Sequence, residues 1–257
     1  MDYIIADRVV LPEQEQRFFT ENIAWLPHCY MPGRTRREIA TQLTRGDCGL
    51  PQNTFVFCCF NNVFKILPET FASWLAILKA TENSVLWLAE PNSAARDNLV
   101  RESESNGVAA ARVIFAPHLP SLADHLSRLS LADLFLDSLP FNAHSTAIDA
   151  LSAGVPVLTC MGATMAGRTC ASIVTAAGLP ELVTRSRSEY EQAATEFCRN
   201  PVMLRAVRTT LAQSRNGSPL FDMNLFMSHF ETALTQMHNC TVSDSPPQSF
   251  SVPGHGR

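Results

Sequence analysis

No run of apolar residues in this sequence is long enough to cross a bilayer. Its start, Met1-Asp-Tyr-Ile-Ile-Ala-Asp-Arg8, carries acid where a secretory signal carries base. Both absences argue against membrane insertion and export, and the cytoplasm is the expected compartment. There is no basic block, no alternation of basic with aromatic residues, and the formal net charge is -4, which argues against a nucleic-acid partner. The eight cysteines form no Cys-x-x-Cys pair and have no ligand-like spacing with histidine; several lie in apolar runs, as buried reduced thiols do. No internal repeat is evident, and no Gly-x-Gly-x-x-Gly follows the first strand, so a dehydrogenase-type dinucleotide site lacks its glycines.

Two near-motifs fall as well. Gly162-Ala-Thr-Met-Ala-Gly167-Arg168-Thr169 has the outline of a P-loop, but Arg168 stands where a flexible lysine reaches the phosphates, and a planar guanidinium is a poor replacement. Asp133 and Asp137 bracket a buried strand with no adjacent Asp-x-Asp loop, so no metal is expected.

What remains is an ordinary globular composition, 46% hydrophobic and 17% charged over 257 residues, with length enough for one large or two modest domains. The chain is organised around residues 133 to 159. Leu134-Phe-Leu136 and Val155 to Leu158 read as buried strands. Between them a small-residue helix begins at His144, Ser145 and Thr146 and stops at Gly154. A helix start at the carboxyl end of a parallel strand presents unpaired N–H groups and a positive dipole end, which together bind anions such as phosphate. Ser and Thr there are also ordinary helix caps. Asp149, about one turn on, tips the balance, because a carboxylate there accepts hydrogen bonds from ribose hydroxyls. Phosphate donors followed by a sugar-hydroxyl acceptor point to a nucleotide.

The rest of the chain alternates strand and helix. Strands are expected at Tyr3 to Val10 and Ile23 to His28, with a short polar helix from Pro12 to Thr20 between them. Arg34-Thr-Arg-Arg37 reads as a charged, solvated linker. Thr54 to Phe60 is a continuous apolar run, as in buried parallel strands. A Pro-initiated helix follows from Pro68 to Ala80, with Phe71, Trp74, Leu75 and Leu78 on one face. Ser84 to Ala89 and Arg112 to Ala116 are further strands, separated by a helix over residues 93 to 106. A loop and a helix bearing His125 and Arg128 come next. Helices are then expected over Thr164 to Ala177, Ser188 to Cys198, Pro201 to Gln213 and Leu225 to Met237. This order implies a doubly wound parallel α/β sheet. Lys65 sits just beyond the first strong strand, on the sheet edge where the His144 helix begins. Flanked by Phe64 and Ile66, it is placed to neutralise a leaving diphosphate. His125 by itself reads as a half-buried helix histidine.

Phe60-Asn61-Asn62-Val-Phe-Lys65-Ile, Ser84-Val-Leu-Trp-Leu, Leu131-Ala-Asp-Leu-Phe-Leu-Asp137 and Asn142-Ala-His144-Ser145-Thr146-Ala-Ile-Asp149 occur in this order. Gly178-Leu-Pro-Glu-Leu-Val183 and Ser218-Pro-Leu-Phe221-Asp222 follow. Over about residues 2 to 238 the set resembles the O-linked N-acetylglucosaminyltransferase (SPINDLY-like) family. The resemblance implies a GT-B architecture of two Rossmann-like lobes. The donor, UDP-N-acetylglucosamine, is held chiefly by the C-terminal lobe, and the sugar passes to Ser or Thr hydroxyls of proteins with inversion and without metal or cofactor. It implies that Lys65 stabilises the UDP leaving group, that His144, Ser145 and Thr146 bind the phosphates, and that Asp149 binds the ribose. It further places His125 against the uridine with Arg128 nearby, the Leu119 backbone at the uracil edge, and Asn62 near the phosphates.

Ser145 stands where that family usually has Thr, Phe64 where Tyr is common, and the Pro117–His125 loop is one residue longer. The expected division is a remnant of the N-terminal catalytic lobe and linker (1–46), a UDP-sugar-binding lobe (47–238) and a disordered tail (239–257). The family's tetratricopeptide repeats and most of its N-terminal lobe have no counterpart in this sequence. Weak or no transferase activity is therefore expected from the isolated chain. The alternatives are a non-catalytic nucleotide-sugar-binding module, a fragment acting with a partner chain that supplies the missing lobe and repeats, and a related GT-B enzyme with another sugar or acceptor.

Overall fold

The apolar runs pair into a six-stranded parallel sheet. In the computed structural model, which describes residues 2–33, 43–215 and 217–254, its strands are β3 (Phe55–Cys59), β4 (Ser84–Ala89), β5 (Val113–Ala116), β6 (Leu134–Leu136), β7 (Val157–Cys160) and β8 (Val183–Thr184). Their spatial order is β5-β4-β3-β6-β7-β8. Phe57 sits beside Leu86 on one side and Leu134 on the other, and Phe135 beside Val157. Central strands of a helix-flanked parallel sheet are covered on both faces, which is why they read as unbroken apolar runs.

The crossovers are α1 (Pro68–Ala80), α2 (Ser93–Ser105), α3 (Leu122–Leu129), α4 (Ser145–Ser152) and α5 (Thr169–Ala176), followed by α6 (Arg187–Arg199), α7 (Pro201–Ser214) and α8 (Met223–Val242). Pro68 opens α1, and its apolar face of Phe71, Trp74, Leu75 and Leu78 is buried. Gly154, at φ +81°, lets the chain leave α4 in a left-handed turn that a side chain would disfavour. The strand order reverses between β3 and β6, which opens a crevice at their carboxyl ends, where ligands bind in open α/β sheets. Lys65 follows β3, and the His144 helix follows β6.

The first strands form a separate three-stranded sheet of β1 (Tyr3–Asp7), β2 (Asn22–Leu26) and β9 (Phe250–Ser251), all parallel, in the order β1-β2-β9. The buried Asp7 ties this sheet to the larger one. Its carboxylate accepts from the Val9 and Val10 amides, and also from the Tyr30 amide (3.0 Å) and the Ser172 hydroxyl of α5 (2.7 Å).

Residues 239–254 of the tail, those described, differ from the expectation of disorder over 239–257. Helix α8 runs on to Val242, and Phe250–Ser251 pair with Ala24 and Trp25. The Val252 amide donates to the Trp25 carbonyl at 2.8 Å, the Ser249 hydroxyl accepts from the Ile23 amide at 2.9 Å, and the Val252 side chain is buried. Proline and serine give the stretch a disordered composition, but two apolar residues at a strand's spacing suffice to dock it. Other boundaries shift less. The polar helix after Pro12 is a 3-10 turn, Glu13–Phe18, and α5 begins at Thr169 rather than Thr164 because residues 162–168 close into a turn. The Arg34–Arg37 linker lies outside the described residues. Among the described residues no helix is long and apolar enough to cross a membrane.

Candidate functional site

After β3 the chain makes a 3-10 turn, Val63–Lys65, capped by the Asn62 side chain, whose carbonyl oxygen accepts from the Phe64 amide at 3.4 Å. The turn aims Lys65 across the crevice. Its Nζ donates to the Asn142 carbonyl at 2.9 Å and lies 4.3 Å from the centre of the Phe141 ring. Burial lowers the ammonium's pKa, and the carboxylate of Asp137 opposes that shift.

His144 heads α4. The Ala147 and Ile148 amides both turn back to its carbonyl, so helix geometry leaves the Ser145 and Thr146 amides as the orphan donors of the first turn. The His144 ring stacks on Phe141, with centroids 5.2 Å apart and planes at 25°. Its pKa is lowered by burial first and by Lys65 second, with the Ala166 carbonyl opposing. The imidazole is therefore neutral at neutral pH and contributes hydrogen bonding rather than charge. Its Nε2 is buried and meets no hydrogen-bond partner among the described residues.

The Thr146 hydroxyl is already engaged within the fold. It donates to the Asn61 side-chain oxygen; the Asn61 amide donates to the Ser138 hydroxyl (2.7 Å), which donates to the Phe141 carbonyl (2.8 Å). Thr146 thus offers its backbone amide outward and uses its hydroxyl to brace the loop. Ser145 is exposed at the helix start, and Asp149 lies one turn on, buried at 9% exposure.

Beside this cluster is a cleft of about 390 Å³ bounded by Phe60, Ala116, Leu119, Leu122, His125 and Arg128. Its wall is fixed by Arg128, which is only 5% exposed. The guanidinium donates to the Pro117 carbonyl, lies 3.1 Å from the His125 Nδ1, and sits 5.0 Å from the Phe60 ring centre. The His125 ring meets Phe60 edge-on at 5.6 Å. Phe60 directly follows β3 and Lys65 closes the next turn, so the flat cleft and the cationic crevice are consecutive along one edge of the sheet.

The structure therefore brings Lys65, His144, Ser145 and Thr146 to one crevice, with Asp149 buried one turn further along α4, and Leu119, His125 and Arg128 to the cleft beside it. Asn62 is exposed and its side chain caps the turn. The residues that sequence reasoning missed are those that hold the loop: Asn61, Phe141, Asn142 and Asp137. A polar residue at the end of an apolar strand was the available signal for Asn61 and Asp137. Asp133 and Asp137 lie at opposite ends of β6, and Asp133 is engaged by Arg45 (2.8 Å), Arg208 (3.3 Å) and the Val56 amide (2.8 Å). The Gly162–Gly167 turn is closed by the Gly162 amide donating to the Gly167 carbonyl at 2.7 Å. Arg168 folds back to the Gly162 carbonyl (3.1 Å) and toward Glu15 (3.5 Å), so it joins the two sheets and does not enter the crevice.

Against known proteins, the model of glycosyl transferase family 41 matches residues 33–230. The chain is 34% identical to a probable UDP-N-acetylglucosamine–peptide N-acetylglucosaminyltransferase of Arabidopsis thaliana, over 98% of its own length and 26% of that protein's. It is 31% identical to a UDP-N-acetylglucosamine–peptide N-acetylglucosaminyltransferase of Caenorhabditis elegans, over 79% of this chain and 18% of that protein. The solved structure of a mutant O-GlcNAc transferase of Thermobaculum terrenum superimposes with a TM-score of 0.85 at 30% identity, covering 95% of this chain and 46% of that one. The chain thus spans about a quarter, 26%, or less of these curated relatives and under half of the solved one.

Proposed function

The chain belongs to glycosyl transferase family 41, and from that premise we propose that it is a donor-side GT-B lobe. In this reading it binds UDP-N-acetylglucosamine for inverting, metal-independent transfer of the sugar to Ser or Thr hydroxyls of proteins. The observation that carries the reading is the convergence, across the β3/β6 crevice, of the Lys65 ammonium with the free first-turn amides of α4, next to a flat cleft large enough for a base.

The roles follow from chemistry. Glycosyl transfer breaks the bond between the anomeric carbon and the diphosphate oxygen, and the departing UDP gathers negative charge. Lys65 and the Ser145 and Thr146 amides are preorganised donors where that charge develops. They supply compensation that a divalent cation supplies in other phosphate sites, which is the basis for proposing metal independence. His125, held by Arg128, offers a face to the uracil; the Leu119 backbone lies along the same cleft, and Asp149 accepts from the ribose hydroxyls. Transfer also needs an acceptor hydroxyl held in line with the sugar, because orientation supplies much of the rate. In the two-lobed architecture that falls to the opposite lobe. Turnover is expected only where that lobe is supplied by a partner chain or by further residues. Alone, the chain acts as a nucleotide-sugar-binding module with weak or no transferase activity. We place it in the cytoplasm, a reading supported by its eight unpaired cysteines.

The test is a calorimetric panel of UDP, GDP and UDP-N-acetylglucosamine, each with chelator and with Mg²⁺. The reading predicts that both uridine nucleotides bind more tightly than GDP and that chelator changes neither affinity. Equal binding of GDP, or binding that requires Mg²⁺, contradicts it.

A further inference from the structure

Below the crevice lies a carboxylate that the proposed donor chemistry leaves unused. Asp137 directly follows β6, is fully buried, and receives four donors. Its Oδ1 accepts from the Ser138 amide (2.8 Å) and from the Ala143 amide (2.6 Å), and its Oδ2 accepts from the Thr159 hydroxyl of β7 (2.6 Å). The Cys170 thiol of α5 also donates to it. The first two bonds come from the two ends of the loop 138–143, so one oxygen pins the loop shut. That loop supplies the crevice with the Asn142 carbonyl that takes the Lys65 ammonium, the Phe141 ring under Lys65 and His144, and the Ser138 hydroxyl at the end of the Thr146–Asn61 relay.

We propose that Asp137 is the positioning residue of the donor site: it touches no ligand, and through the Ser138 and Ala143 amides it sets where Lys65, His144 and the start of α4 stand. The part that concerns donor affinity rests on the reading of the crevice as a diphosphate site. Burial raises the carboxyl's pKa to about 7, against the lowering effect of its hydrogen bonds, so the pin itself titrates in an accessible range. The titratable groups that face it are Cys59 on β3, Lys65, Cys160 on β7, Cys170 on α5 and Tyr190 on α6. Burial pushes the thiols and the phenol up, so they stay neutral, and Lys65 is the charge that faces Asp137.

The first test follows the Ser138 and Ala143 amide protons of the ligand-free chain by NMR between pH 5.5 and 8.5. Both move together with an inflection near 7; Asp137→Asn abolishes the inflection, and His144→Gln retains it. Amides that stay flat, or an inflection that follows His144, overturn the proposal. The second test is UDP-N-acetylglucosamine affinity at pH 8. Asp137→Asn keeps an oxygen for both amides and holds affinity within about threefold, whereas a folded Asp137→Ala loses tenfold or more. Equal losses in the two variants, or none in Ala, overturn the positioning role. Amides that titrate in a chain that binds no uridine nucleotide leave Asp137 as the pin of the loop and sink the donor reading instead.

Discussion

The Lys65 ammonium lies 2.9 Å from the carbonyl oxygen of Asn142, 77 residues further along the chain. This bond spans the point where the strand order turns, between β3 and β6, and sets a cation beside the N-terminus of α4. In the proposed donor site, a diphosphate entering the crevice would meet an ammonium already held by one neutral acceptor, with donors to spare for its oxygens. The positive charge is in place before the ligand arrives, so little reorganisation is left for binding or for departure of the leaving group.

Asn61 is the hub of the relay that braces this arrangement. Its side chain accepts from Thr146 and donates to Ser138 in a buried setting. Asn61→Ala leaves two hydroxyls with a lost partner, which costs about 1–3 kcal/mol of stability. Thermal or denaturant unfolding should register that loss, and UDP affinity is expected to fall roughly tenfold as the start of α4 loosens.

The buried Asp137 makes stability depend on pH in an unusual direction. Its carboxyl is raised by burial to about 7, above the unfolded value near 3.9. The folded state then holds a proton that the unfolded state has released, so the contribution is full below the unfolded pKa and is lost as pH rises through the folded one. Relative to Asp137→Asn, the wild type is expected to lose on the order of 4 kcal/mol between pH 4 and pH 8. Urea unfolding of both proteins across that range checks it. A constant difference between them would remove the raised carboxyl from the account.

Gly167 tests whether the turn after β7 braces the site. A Cβ there would stand 2.8 Å from the Pro140 carbonyl oxygen, on the loop that Asp137 pins. The Asn142 amide also donates to the Ala166 carbonyl at 3.1 Å. Gly167→Ala is expected to cost about 1–3 kcal/mol through overpacking and to weaken UDP binding at the same time. Loss of stability with unchanged affinity would separate the turn from the site.

Much of this was legible because parallel strands and helix caps leave local marks. The run Thr54 to Phe60, the Pro68 start and the Gly154 stop each fix an element within a residue or two, and the order of elements places Lys65 and His144 on one edge. The hydrogen bonds that connect them are not local. Asn61 to Ser138 and Lys65 to Asn142 join residues 77 apart, and Asp137 read as a rejected metal ligand because its partners are backbone amides, which carry no residue signature. The docking of the tail is illegible for the converse reason, since composition is an average and two residues, Phe250 and Val252, hold the strand in place.

Removing residues 249–257 tests that correction. The deletion takes away β9, the Val252 bond to Trp25 and the Ser249 bond to Ile23. Losing the buried Val252 side chain alone costs about 1.5–3 kcal/mol. A lowered unfolding temperature and faster proteolysis near Trp25 are expected; an unchanged melting curve would mean that the strand adds nothing.

The most direct measurement is calorimetric titration of UDP-N-acetylglucosamine into the wild type, Lys65→Ala and Asp149→Ala, each checked for folding. The account predicts binding by the wild type and a loss of about tenfold to a hundredfold in each variant, the worth of a hydrogen bond to a charged group. A folded wild type that does not bind, or variants that bind as tightly as it does, would contradict a donor site built on the β3/β6 crevice.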